Sequence, residues 1–99
     1  MLYQALGALT PSPVVELNRA VAVAMAGDAE QGLRIVEGLA ADAALAGYHH
    51  LPSVRGDLLA RLGRLAEAAA EFRRAAALTR NGPERTVLLR RAAECDAGG

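Results

Sequence analysis

The sequence predicts an all-α protein, built as a right-handed array of antiparallel helix pairs with about six helices in 99 residues. Alanine, a strong helix former, is the commonest apolar residue, and apolar positions recur at helical spacing. Related residues also recur 36 positions apart, as subtraction shows: Arg19/Arg55, Ala20/Gly56, Gly27/Gly63, Gly32/Ala68 and Val36/Phe72. We therefore expect one helical-repeat domain over residues 1–99.

This spacing is close to the 34-residue period of tetratricopeptide (TPR) units, which stack because no single unit can bury its apolar face alone. Residues 13–41 and 49–82 are the two predicted repeats, and the second matches the TPR pattern better. Residues 1–11 match the second half of a truncated repeat, whose first half we expect upstream of residue 1. Residues 83–95 are the predicted capping helix.

The first helix is predicted over residues 2–9, before a Thr-Pro-Ser-Pro stop. Ser12 and Pro13 then suit the N-cap and first position of a helix over about 13–26, with an inward valine stripe, which Gly27 ends. The third helix, about 29–41, is capped by Asp28. Gly32 in its interior predicts a close approach to the second helix near Ala20.

Residues 42–49 are a predicted linker. The fourth helix, about 51–62, ends at Gly63, and the fifth, about 65–79, carries Phe72 inward. Asn81, Gly82 and Pro83 form a strong break before the sixth helix. Residues 96–99 are expected to fray.

Composition argues against several kinds of partner. Eleven arginines balance eleven acids, with a net charge of −3 in residues 1–50 and +3 in residues 51–99. Glutamates alternate with the arginines of the second half, which favours solvated ion pairs over a nucleic-acid surface. The sequence contains one cysteine, no apolar run of membrane-spanning length and no signal peptide pattern. We expect a cytoplasmic protein that binds neither nucleic acid nor membrane.

Motifs for catalysis or a cofactor are not found. The sequence has no nucleophile elbow, phosphate-binding glycine loop or zinc-helix motif, so we expect a non-enzyme without a cofactor. Tyr48, His49 and His50 are the densest polar and aromatic cluster. Adjacent histidine side chains are expected to diverge, and a structural zinc needs about four ligands, so no metal site is predicted.

Asn18, Arg19, Tyr48, His49, Arg55 and Asp57 are the candidate partner-binding residues. Because first helices line TPR grooves, Arg19 and Arg55 are placed to hold a partner's carboxylate. The alternative is an internal network, in which Asn18 and Arg19 bond to loop carbonyls or pair with Asp57 or Glu16. The sequence leaves both interpretations open.

One family resemblance extends over about Tyr3 to Glu94. The segment SPVVELNRAVA at residues 12–22 is its most specific part, followed by LAGYH at 45–49, RGDLLARLGR at 55–64 and Glu67-Ala68. These stretches resemble the C-terminal TPR-like extension of bacterial sigma factors of the extracytoplasmic-function (ECF) class. Members usually have alanine at the position of Gly56.

The resemblance implies a regulatory module that modulates transcription initiation through protein contacts. Its expected partners are the sigma-factor core domains, RNA polymerase or a regulator, and the promoter-binding regions of such factors are absent from this sequence. We also expect self-association through the unpaired face of the truncated N-terminal repeat. The alternative is a free-standing TPR adaptor that binds a peptide or protein partner.

Overall fold

Five helices follow one another in the computed structural model, which describes residues 13–42 and 45–98. They are α1 (Pro13–Met25), α2 (Ala29–Leu39), α3 (His50–Arg61), α4 (Leu65–Leu78) and α5 (Gly82–Gly98). Consecutive helices pack on each other, α2 against α3 less extensively than the other pairs. The described residues contain no strand, so the all-α prediction is confirmed for them.

The turns after α1 and α3 are built alike. Gly27 has φ +108° and Gly63 has φ +80°, a region that glycine enters without steric cost. Each turn has three residues, short enough to fold the next helix back as an antiparallel neighbour. After the first turn, Asp28 caps α2 by accepting a hydrogen bond from the backbone N–H of Gln31 at 3.0 Å. The predicted glycine stops are thus confirmed.

Both helix hairpins pack closely at a glycine. A Cβ added to Gly32 on α2 would lie 2.8 Å from the carbonyl oxygen of Ala20 on α1, as the sequence predicted. A Cβ added to Gly56 on α3 would lie 2.9 Å from the ring of Phe72 on α4. Ala20 and Gly56 are 36 positions apart, so the same first-helix position makes the close approach in each hairpin.

The core runs along the helices and is built largely from small side chains. Phe72, Leu58, Leu59 and Val36 are its largest fully buried members, and alanines of α1, α4 and α5 pack around them. Small residues let the helix axes approach closely, but each buries little apolar area. Phe72 is fully buried, as predicted.

The turn between α4 and α5 is held by polar side chains. Asn81 Oδ1 accepts from the backbone N–H of Glu84 at 2.8 Å, which caps α5. Arg85 donates to the carbonyls of Ala76 at 3.2 Å and Thr79 at 2.8 Å, at the end of α4. Helix carbonyls left without an intrahelical partner are satisfied in this way.

Some details differ from the predictions. The buried line of α1 is Leu17, Ala20 and Ala24, while Val14 and Val21 of the predicted inward stripe are exposed. The predicted frayed tail is wrong over residues 96–98, since α5 extends to Gly98 and not only to residue 95. The predicted first helix at 2–9, the half-repeat at 1–11 and the Ser12 cap lie outside the described residues. No helix of the described part combines the length and apolarity needed to cross a membrane.

Candidate interaction groove

A groove of about 210 Å³ lies between α1, α3 and α5. Val21 and Met25 of α1 border it on one side, and Arg91 of α5 also lines it. Its α3 residues occupy one face of that helix at helical spacing: Ser53, Val54, Asp57, Leu58 and Arg61. Met25 is 68% exposed, so the apolar side of the groove is open to solvent.

Residues 36 positions apart border this one groove. Val21 corresponds to Asp57, and Met25 corresponds to Arg61. Nη2 of Arg61 lies 3.7 Å from the sulfur of Met25, so the corresponding side chains of the two hairpins touch. The sequence period therefore corresponds to a spatial relation between α1 and α3.

Asp57 pairs with both arginines that line the groove. Its Oδ2 accepts from Nε of Arg61 at 2.9 Å, and its Oδ1 accepts from Nη2 of Arg91 at 2.7 Å. Partial burial raises the pKa of Asp57, but hydrogen bonds from Arg91 and Arg61 outweigh it and hold the pKa below its ordinary value. The carboxylate is therefore ionised at neutral pH, and the two guanidiniums leave one net positive charge.

Arg91 connects the groove to the core. Its guanidinium carbon lies 4.4 Å from the centroid of the Phe72 ring, a cation–π distance. The same guanidinium bonds Asp57 on α3, so α5 is fixed to both helices of the second hairpin. This arrangement holds Arg91 in place at the edge of the groove.

The candidate residues on α1 lie on the surface. Asn18 is exposed, and Arg19 is exposed while donating to Oε1 of Glu16 from Nε at 3.2 Å and Nη2 at 2.8 Å. This is one of the pairings that the sequence left open, between residues three apart on one helix. Neither residue lines the groove.

Arg55 lies on α3, 36 positions after Arg19, but it pairs with acidic residues of two neighbouring helices. Its guanidinium reaches Glu37 of α2 at 2.8 Å and Glu71 of α4 at 3.1 Å. Glu71 is 6% exposed and also lies 3.3 Å from Arg74, so its buried charge is paired twice. Arg55 thus ties α2, α3 and α4 together, away from the groove.

The cluster of Tyr48, His49 and His50 at the start of α3 is more compact than predicted. The ring centroids of His49 and His50 lie 4.2 Å apart, so the expectation that these side chains diverge is wrong. Tyr48 is half-buried against the core, and its ring meets that of His50 edge-on at 5.2 Å. Nε2 of His49 lies 2.8 Å from Oε1 of Glu84 in the first turn of α5.

Of the six candidate residues, Asp57 alone borders the groove among the described residues. Val21, Met25, Arg61 and Arg91 were not among the candidate residues predicted from the sequence. The 36-residue register points to Met25 and Arg61 once the groove-facing side of α3 is known. No comparable signal identifies Arg91, because its position depends on how α5 packs.

No protein-family model matches the chain, and no solved structure matches it. The chain is 50% identical, over 88 residues, to an uncharacterized protein of Rhizobium meliloti (strain 1021). The match includes 89% of this chain but 20% of that protein. The chain therefore spans about a fifth of the length of the curated relative it matches.

Proposed function

We propose that this chain is a TPR-like protein-interaction module and that the α1/α3/α5 groove binds its partner. In this proposal α1 and α3 are the first helices of two consecutive units of a right-handed array, and α5 is the capping helix. The carrying observation is that residues 36 positions apart, Val21 with Asp57 and Met25 with Arg61, border the same groove. TPR arrays use the surface formed by such stacking to bind partners.

The chemistry of the groove favours one kind of occupant. Val21 and Met25 offer apolar area, and two arginines face one aspartate on the other side. A segment that presents an apolar side chain next to a carboxylate complements both features. The carboxylate would be held by the guanidiniums of Arg61 and Arg91, which already bind one on Asp57.

We further propose that the module is the regulatory extension of a bacterial ECF-type sigma factor. The resemblance at residues 12–22 motivates this, and the greater length of the Rhizobium meliloti relative is consistent with a module attached to other regions. Its partners would be the sigma-factor core domains, RNA polymerase or a regulator, in the cytoplasm. It would modulate transcription initiation through these protein contacts, without contacting the promoter and without catalysis.

Site-specific photo-crosslinking in the native host tests both the groove as the binding surface and the assignment to a sigma factor. A photoreactive amino acid replaces Met25, which borders the groove, and the matched control replaces Leu78, an exposed apolar residue of α4 outside it. We expect Met25 to crosslink to a polymerase subunit or to a polymerase-binding sigma region, and Leu78 not to do so. The products are identified by mass spectrometry.

Three outcomes separate the alternatives. Crosslinks from Met25 to an acidic peptide tail of an unrelated protein would replace the sigma assignment by the free-standing adaptor. The free-standing adaptor would also replace the sigma assignment if the parent open reading frame encodes no polymerase-binding region. Equal crosslinking from Met25 and Leu78 would remove the groove as a binding surface.

A charge-reversal variant tests whether the groove binds a carboxylate of the partner. Arg61→Glu should abolish the groove crosslink, because it places a second acid beside Asp57 and repels a partner's carboxylate. Arg73→Glu is the matched control, since Arg73 lies on α4 and pairs with Asp96 of α5 outside the groove. Retention of the Met25 crosslink in Arg61→Glu would refute the proposed role of the carboxylate.

A further inference from the structure

The cluster of His49, His50 and Glu84 has the composition and spacing of a metal site. One ligand atom from each residue can be chosen so that all three lie within 4.8 Å of one another. Zinc bonds to histidine nitrogen at about 2.0–2.1 Å and to carboxylate oxygen at about 2.0–2.2 Å, so two ligands of one ion lie within about 4 Å. A small rotation of the exposed His50 side chain would close this gap.

His49 supplies an independent observation. Its Nε2 is shielded from solvent and lies 2.8 Å from Oε1 of Glu84, but the angles at this contact are not those of a hydrogen bond. A buried polar atom without a well-angled hydrogen bond calls for an explanation, such as an ion bound by this atom and its neighbour. A metal ion bound by Nε2 would give this nitrogen a partner.

The carboxylate is also held in position. The hydroxyl of Thr79 donates to Oε1 of Glu84 at 2.6 Å, and Asn81 fixes the backbone of Glu84 at the start of α5. Metal-binding carboxylates are commonly oriented by such bonds from outside the ligand set.

We propose that His49, His50 and Glu84 bind one divalent transition-metal ion, with zinc the best match to imidazole and carboxylate ligands. Three protein ligands leave a fourth position for water. The proposal does not depend on the groove or on the sigma assignment.

The ion would join α3 to α5 at their first turns. Seven residues further along both helices, Asp57 of α3 already pairs with Arg91 of α5. The two connections are then about 10 Å apart along helices that run in the same direction. A bound ion would therefore fix the spacing of the two helices that border the groove.

The test is calorimetric titration of the chelator-treated full chain with zinc chloride, with magnesium chloride as the comparison. We expect one zinc per chain and no magnesium binding, because hard cations prefer oxygen ligands. His49→Gln and Glu84→Gln should each weaken zinc binding by at least about ten-fold. Glu94→Gln, an exposed acid of the same helix, should bind zinc as the parent chain does.

Proton NMR gives a readout specific to these residues, since the chain has two histidines in all. Zinc should shift the ring resonances of both, and it should raise the midpoint of thermal unfolding of the parent chain. The absence of binding to the parent chain would overturn the proposal. Unchanged binding in both His49→Gln and Glu84→Gln would place the ion elsewhere and would overturn it as well.

Discussion

The close approach of α1 and α2 at Gly32 is open to a controlled measurement. A methyl group at this position would lie 2.8 Å from the carbonyl oxygen of Ala20 and 3.3 Å from the Cβ of Ala24. Gly38 belongs to the same helix, but a methyl group there meets no atom within 4 Å. Gly32→Ala and Gly38→Ala therefore make the same chemical change in the same helix. The new methyl group meets the backbone of α1 at Gly32 and no atom at Gly38.

The expected magnitudes follow from two opposing effects. Replacing a helical glycine by alanine favours the helix by up to about 1 kcal/mol, and this gain is shared by both variants. Overpacking costs about 1–3 kcal/mol, and here the obstacle is backbone, which moves only if α1 itself shifts. Gly38→Ala should thus stabilise the chain, and Gly32→Ala should be less stable than Gly38→Ala by about 1–3 kcal/mol.

Urea unfolding followed by far-ultraviolet circular dichroism measures this difference. We expect equal m-values, so that the midpoints report stability directly. If Gly32→Ala is as stable as Gly38→Ala, α1 and α2 do not approach closely in solution. The packing argument for the first hairpin would then be refuted.

Three further changes test the rest of the fold. Phe72→Ala should destabilise by about 3–5 kcal/mol in urea unfolding, as for a fully buried aromatic, and a loss under about 1 kcal/mol would contradict its burial. Asp57→Asn should cost about 1 kcal/mol or less, because its ion pairs with Arg61 and Arg91 are partly exposed. Because the pKa of Asp57 is lowered in the fold, this contribution is fully present above the ordinary aspartate pKa of about 3.9 and is lost as the pH falls through the lower folded pKa. If the difference in unfolding free energy between parent and variant does not shrink as the pH falls through this range, the prediction is contradicted. Arg85→Gln should lower the thermal midpoint by removing the side chain that bonds the last carbonyls of α4, and an unchanged midpoint would show that these bonds contribute nothing.

The backbone features were predicted well because their causes are local. Gly27 and Gly63 end helices through their own conformational freedom, and Gly32 predicted a close approach because a helical glycine needs a packing reason. The outward position of Val21 was not predicted. Helical periodicity indicates only a broad apolar face of α1. Packing against α2 buries the side of this face that carries Ala20 and Ala24 and leaves Val21 exposed.

The polar sites depend on contacts across long stretches of sequence, which no local pattern reports. His49 and Glu84 are 35 positions apart, and Asp57 and Arg91 are 34 apart. Arg55 shows the same limit, since its two acidic partners lie on the helices before and after its own. The repeat register predicts that α1 and α3 are equivalent, but it does not specify where α5 places its side chains.

Cys95 makes the movement of α5 directly observable. Its side chain is 8% exposed on the inner side of that helix, and it is the sole thiol of a sequence without tryptophan. Because the sulfur is nearly buried, we expect an aromatic disulfide reagent to label it mainly when the last helix lifts from α4, so that the labelling rate reports how often this opening occurs. The molecule thus contains a natural probe of its own local unfolding, without an engineered fluorophore.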